Sequence, residues 1–206
     1  MRFLTIALVL ALSSCGAARG YPVNAPERTV VVKEEAVVLG GGCFWCLEAA
    51  YELVPGVLDV ESGYAGGSRE KPSYEQVSSG LTGHAEVVRI RYDPAVVPLE
   101  RLFGLFYRIH DPTTVDRQGA DAGSQYRSII LYSGEAQKAA ALAAVRLAQA
   151  DFQKPIVTAI EALDRFWPAE DYHQDFFRKN PDHGYCQAVV RTKADKAQAF
   201  VDKLVP

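Results

Sequence analysis

The sequence predicts an α+β fold in packed layers, because strand-like and helix-like segments are mixed without strict alternation. Two segments carry most of that reading. His84 to Tyr92 alternates as a strand, with Glu86, Val88, Ile90 and Tyr92 on one face and Val87, Arg89 and Arg91 on the other. Pro98 to Ile109 repeats at helical spacing; Leu99, Leu102, Phe103 and Phe106 form a core stripe, and Pro98 suits the first helical position. The chain has 206 residues, 49% of them hydrophobic, enough for one domain with a substantial core plus extensions.

The first 20 residues are of another kind. Arg2 supplies a positive charge, Phe3 to Leu12 a short apolar run, and Ser13, Ser14, Cys15 and Gly16 small residues. This pattern predicts a secretory signal, too short for a membrane span. Leu12-Ser13-Ser14-Cys15 further resembles the lipobox of bacterial lipoproteins. That resemblance implies a signal over 1–14, a lipidated Cys15 with a tether over 15–30, and a folded domain over 31–206. The alternative is ordinary cleavage near Ala18, leaving a soluble exported protein. Either way the chain is expected to leave the cytoplasm; with Cys15 lipidated, the expected location is the bacterial cell envelope or periplasm, with the membrane touched only through that lipid. That compartment is oxidising, so a thiol kept there needs a dedicated reductant.

Thr29 to Lys33 reads as a short strand and Ala36 to Leu39 as a buried one. Gly40-Gly41-Gly42 then turns the chain into a helix from Phe44 to about Val54, stopped by Pro55-Gly56. Val57 to Tyr64 reads as a strand with Leu58, Val60, Ser62 and Tyr64 on one face, and Ser73 to Val77 as a helical turn. Arg117 to Ser124 reads as loop. Gln125 to Tyr132 reads as a strand with Tyr126, Ser128, Ile130 and Tyr132 on one face. Ser133 is expected to cap an alanine-rich helix. Ile156 to Ile160 is the next expected strand, and Glu170 to Arg178 an aromatic-rich helix. Asn180 to Cys186 is expected as loop, Val189-Val190 as a brief strand, and Ala194 to Leu204 as a closing helix.

The chemistry concentrates at Gly42-Cys43-Phe44-Trp45-Cys46. Cys43 falls at a helix start, where free N–H groups and the helix dipole favour a thiolate. Glu86 shares a strand face with three apolar side chains: either desolvation raises its pKa and keeps it protonated near neutral pH, or, near the strand end, its carboxyl reaches water. Four cysteines, Cys15, Cys43, Cys46 and Cys186, are too few for a disulfide scaffold and suit a redox use. Cys43 and Cys46 alone would fit a thioredoxin-like disulfide oxidoreductase, although two large aromatics separate them. A zinc site from three cysteines and a histidine lacks a second close ligand pair. A Cys-His hydrolase would leave two thiols unexplained. A net charge of −3 gives no electrostatic case for nucleic acid. The glycine turn does not fit a dinucleotide fingerprint. Neither a cofactor nor a metal is expected.

Seven blocks in order carry a resemblance: Gly42-Cys43-Phe44-Trp45, Gly63-Tyr64-Ala65-Gly66-Gly67, Pro72-Ser73-Tyr74, Gly83-His84-Ala85-Glu86, His110-Asp111-Pro112, Asp121 to Ser128, and Gly184-Tyr185-Cys186. Together they resemble the A class of peptide methionine sulfoxide reductases, over roughly Val37 to Cys186. The resemblance implies a two-layer α+β sandwich of ferredoxin-like kind with long coil at the C-terminus, acting as a monomer. It implies reduction of methionine S-sulfoxide, free or in oxidised proteins, with a thioredoxin or periplasmic thioredoxin-like protein as reductant. By the same resemblance Cys43 is the nucleophile and Glu86 the acid. Tyr74 and Tyr126 hydrogen-bond the sulfoxide oxygen, Asp121 positions the network, and Phe44 and Trp45 hold the substrate methyl. Some relatives carry two cysteines near the C-terminus; in this chain Cys186 is the only cysteine after Cys46. It is therefore the expected resolving thiol, on a loop that reaches the site, with Cys46 as competitor.

Overall fold

A computed structural model describes residues 33–203. The chain divides into Met1–Val31 and a compact unit, Val32–Pro206. The expected signal, Cys15, the tether and most of the strand expected at Thr29–Lys33 lie outside the described residues. Lys33 itself is not in a strand.

The elements run β1 (Glu35–Gly40), α1 (Phe44–Tyr51), β2 (Val57–Ala65), α2 (Tyr74–Ser78), β3 (Ala85–Tyr92), α3 (Leu99–Ile109), β4 (Arg117–Gln118), β5 (Asp121–Ala122), β6 (Ile129–Tyr132), α4 (Glu135–Ala148), β7 (Ala159–Ala162), β8 (Phe166–Pro168), α5 (Phe176–Lys179) and α6 (Arg191–Val201). The main sheet has the order β7-β6-β1-β3-β2-β8. Its centre, β6-β1-β3-β2, is antiparallel throughout. With α1 after β1 and α3 after β3, this is the split β-α-β arrangement of a ferredoxin-like sandwich. The expected α+β layer fold is therefore the observed one.

The alternation read on β3 builds two cores. Val88, Ile90 and Tyr92 face the helices together with Leu39, Leu47, Phe103 and Phe106. Val87 faces the opposite side with Val38, Ala65, Ala85, Ile129 and Leu131, where Leu163 and Phe166 pack over it. The arginines of β3 are not simply solvated. Arg89 pairs with Glu61, and Arg91 reaches Glu34 at 2.9 Å and Asp59 at 3.2 Å. Ser73 and Gln76 close a reciprocal capping box at the start of α2.

Several local expectations fail for identifiable reasons. A bulge between Val57 and Asp59 removes Leu58 from the inner face, and it is exposed. Pro98 caps α3 rather than starting it. The loop over 117–124 folds into the short β4-β5 hairpin. The strand expected from Gln125 begins only at Ile129, because Ser124–Tyr126 forms a 3-10 turn. Gly134, not Ser133, precedes α4, and no side chain caps it. The strand expected at Ile156–Ile160 is displaced to Ala159–Ala162. The helix expected at Glu170–Arg178 is broken into a 3-10 turn over Asp171–His173 and the short α5, because Asp175 between them is left-handed at φ 55°. Val189-Val190 is not a strand. Cys186–Val190 is a π-helical turn that runs directly into α6.

Candidate active site

Pairing between β1 and β3 sets Leu39 opposite Val88. Glu86 therefore lies beside the glycine turn that follows β1. At Gly42 the backbone has φ 98°, and an added Cβ would lie 2.6 Å from the Gln118 side chain. The turn delivers Cys43 as the cap of α1. The backbone N–H of Phe44 then donates to Glu86 Oε2 at 3.1 Å, a contact between two buried residues.

Cys43, Phe44, Trp45, Tyr74, Glu86, Asp121 and Tyr126 line one cavity of about 260 Å³, with His183 and Tyr185. Seven residues singled out in the sequence are thus brought together from α1, α2, β3, β5 and the 3-10 turn. Tyr74 opens α2, and its backbone N–H donates to Glu170 Oε1 at 2.9 Å. The other oxygen of Glu170 accepts Tyr64 O–H at 2.8 Å, so the C-terminal tail fixes the start of α2 against the sheet. Tyr126 is set by the 3-10 turn. Next to it, Arg127 donates to the carbonyls of Gly66, Gly83 and Ser124, tying that turn to both loops flanking α2. Asp121 accepts Tyr185 O–H at 2.6 Å. Phe44 is buried. The Trp45 indole lies flat on Phe176, with ring centroids 3.6 Å apart and planes at 6°.

Burial dominates the titration of the site. Glu86 is 1% exposed. Desolvation pushes its carboxyl up to about 8, against the Phe44 N–H, which favours the anion, and with Asp121 and Cys46 adding like charge. Cys43 departs from the thiolate expected at a helix start. Burial, the hydrogen bond to Cys46 and the Glu86 carboxyl all raise it, and the Trp45 N–H does not outweigh them. Cys46 moves the other way: Cys43 donates to its sulfur and Lys193 lies near it, which lowers its pKa despite burial. Burial raises the phenols of Tyr74 and Tyr126, with Glu86 the next cause for each.

Cys186 is not on a loop. It is fully buried in the π-helical turn and packs in the same core as Cys43 and Cys46. All three thiols are free. Among the described residues no group of three or more His, Cys, Asp or Glu side chains is placed to hold a metal ion.

Sequence reasoning misses Tyr185, His183, Glu170 and Phe176. Tyr185 stands in the Gly184-Tyr185-Cys186 block, which is a usable signal. Glu170 and Phe176 carry none, since their partners lie 96 and more residues away or depend on the broken tail.

A protein-family profile described as peptide methionine sulfoxide reductase matches residues 35–204. A peptide methionine sulfoxide reductase MsrA of Halobacterium salinarum is 54% identical over 166 residues, 80% of this chain and 94% of that protein. One from Leptospira borgpetersenii is 51% identical over 162 residues, 79% of this chain and 92% of that protein. Among solved structures, reduced Mxr1 of Saccharomyces cerevisiae is similar, with a TM-score of 0.72 and 37% identity, over 75% of this chain and 90% of that one. Methionine sulfoxide reductase A of Corynebacterium diphtheriae has a TM-score of 0.67 and 37% identity, over 72% of this chain and 76% of that one. Mxr1 in complex with Trx2 has a TM-score of 0.52 and 28% identity, over 71% of this chain and 86% of that one. The match spans the whole sandwich and every residue of the cavity, and this chain belongs to the peptide methionine sulfoxide reductase family.

Proposed function

We propose that this protein reduces methionine S-sulfoxide, free or in oxidised proteins, and that Cys43 and Glu86 perform the chemistry. The observation that carries the proposal is a buried thiol and a buried carboxyl, protonated below about pH 8, in one cavity walled by Phe44 and Trp45. The Cys43 sulfur attacks the sulfoxide sulfur. Glu86 protonates the sulfoxide oxygen, which passes to the Cys43 sulfur as its bond to the methionine sulfur and the transient S–S bond break; methionine leaves, Cys43 becomes the sulfenic acid, and the Cys43 thiol proton restores Glu86. Tyr74 and Tyr126 donate to the developing oxyanion, and Asp121 orients the network with Tyr185. Phe44 and Trp45 hold the methyl group.

Cys46 follows Cys43 by one helical turn, its backbone N–H on the Cys43 carbonyl at 3.1 Å, and is the thiol proposed to reach the sulfenic acid first. Its attack releases water and forms Cys43–Cys46. Cys186, buried in the same core, then exchanges into that bond at Cys46. This frees Cys43 and leaves Cys46–Cys186 for a thioredoxin-type dithiol to reduce. The likeness to Mxr1, captured with Trx2, supports that donor class. The reading as a disulfide oxidoreductase with Cys43 and Cys46 alone leaves Glu86, Tyr74 and Tyr126 without a task.

The chain is further proposed to act as a monomer, since one copy supplies every residue of the site. It is proposed to be exported to the cell envelope and anchored by lipid at Cys15, where it repairs proteins under oxidative stress. The sequence of the first 20 residues supports this.

Activity should fall as pH rises through about 8, because the acid form of Glu86 is the active one. Glu86→Gln should lower turnover by about 100-fold, and unchanged turnover removes Glu86 from the mechanism. Peptide mapping after one equivalent of sulfoxide should give Cys46–Cys186 in the wild type and Cys43–Cys46 in Cys186→Ser. A Cys43–Cys186 bond, with recycling intact in Cys46→Ser, overturns this order of thiol exchange. Labelled fatty acid should appear on Cys15 in cells, and its absence there refutes the anchor.

A further inference from the structure

Glu48 is a buried carboxyl that the chemistry above does not use. It lies one turn after Trp45 on α1 and is 1% exposed. Its Oε1 accepts Ser62 O–H at 3.2 Å, and its Oε2 accepts the backbone N–H of Phe176, also at 3.2 Å. Phe176 is the first residue of α5 and follows the left-handed Asp175. The carboxylate therefore holds the chain at the left-handed break between the 3-10 turn and α5. The Phe176 ring in turn lies flat on Trp45 at 3.6 Å. The buried Trp45 indole N–H finds no partner among the described residues, so stacking rather than hydrogen bonding holds that ring.

We propose that Glu48 is a positioning residue for substrate binding: it pins Phe176, and Phe176 fixes Trp45 as a wall of the sulfoxide cavity. The inference rests on the reading of Trp45 as the surface that holds the substrate methyl. It extends the site by a chain of three residues running from the sheet side of α1 to the tail and back.

Protonation makes this chain readable. Burial and the like charge of Glu52 push Glu48 up to about 7, against the donors at Phe176, Asp175 and Ser62. Asp59 on β2 adds like charge at Glu52, the acidic neighbour of Glu48. Arg178 and Lys179 are paired with Asp175. Above its pKa, Glu48 holds the Phe176 N–H with a charged acceptor. Below it the acceptor is neutral, and such bonds are about half as strong. The wall is therefore held less firmly on the acid side, and substrate binding weakens there. Glutamine keeps the shape and offers one acceptor and one donor, so it preserves both contacts but cannot titrate.

The test measures kcat and KM for a small methionine sulfoxide substrate, with dithiothreitol as reductant, between pH 6 and 9. Glu48→Ala and Phe176→Leu should each raise KM by about tenfold with kcat nearly unchanged, the pattern of lost ground-state binding. The double variant should be no worse than the weaker single one, because both act through one path. Wild-type KM should rise below pH about 7, and Glu48→Gln should abolish that rise. Should Glu48→Ala not fold, the Glu48→Gln profile and Phe176→Leu decide. Wild-type KM in Phe176→Leu, or an acid-side rise retained in Glu48→Gln, overturns the inference. Trp45→Leu separates the two levels. If it raises KM while Phe176→Leu does not, this inference alone fails. If it leaves KM unchanged, the wall reading fails with it.

Discussion

The site depends on one hydrogen bond, from the Phe44 N–H to the Glu86 carboxyl at 3.1 Å. It joins the first turn of α1 to the start of β3 and so holds the thiol and the acid in one frame. A single N–H does not offset the burial of that carboxyl, and Glu86 is raised to about 8. The consequence reaches Cys43, because a nearby carboxylate is one of the influences that raise its thiol. With Glu86 protonated, that influence is absent. One proton thus serves both members of the pair.

The sandwich and the tail divide the work. Strands and helices of the β-α-β-β-α-β core carry Cys43, Phe44, Trp45 and Glu86, and α2, inserted between β2 and β3, carries Tyr74. The tail, with little regular structure, returns to brace them. Glu170 holds Tyr74 and Tyr64, Phe176 covers Trp45, and Tyr185 binds Asp121. Regular elements give the reacting groups fixed geometry, while irregular chain supplies the walls, a common arrangement in binding sites.

What is legible in the sequence follows from the range of the interactions. The period-two pattern of β3 is local, and it carries both the strand and the burial of Glu86. The glycine turn with Cys43 is equally local. Tyr126 does not sit on the strand its sequence suggests, because its 3-10 turn depends on Gly123, with φ at 145°, and on Arg127 reaching two distant carbonyls, those of Gly66 and Gly83. The aromatic tail looks helical, but left-handed Asp175 interrupts it, and its capture by Glu48 spans 128 residues. Cys186 is legible in the sequence yet easily misread. Cys186, Val190, Ala194, Ala197 and Val201 recur every three or four residues and are all buried. That spacing marks a helix, whereas Gly184 draws attention to a loop. The resting state of Cys43 differs from the expected thiolate because the helix dipole is weaker than full burial beside a carboxyl.

The central claim is that Cys43 reduces one epimer of methionine sulfoxide. Its most direct test is turnover of the separated S and R epimers with dithiothreitol, for the protein and its Cys43→Ser variant. Methionine formed from the S epimer alone, and lost in Cys43→Ser, is the predicted result. Methionine from neither epimer, or undiminished turnover without Cys43, would contradict it.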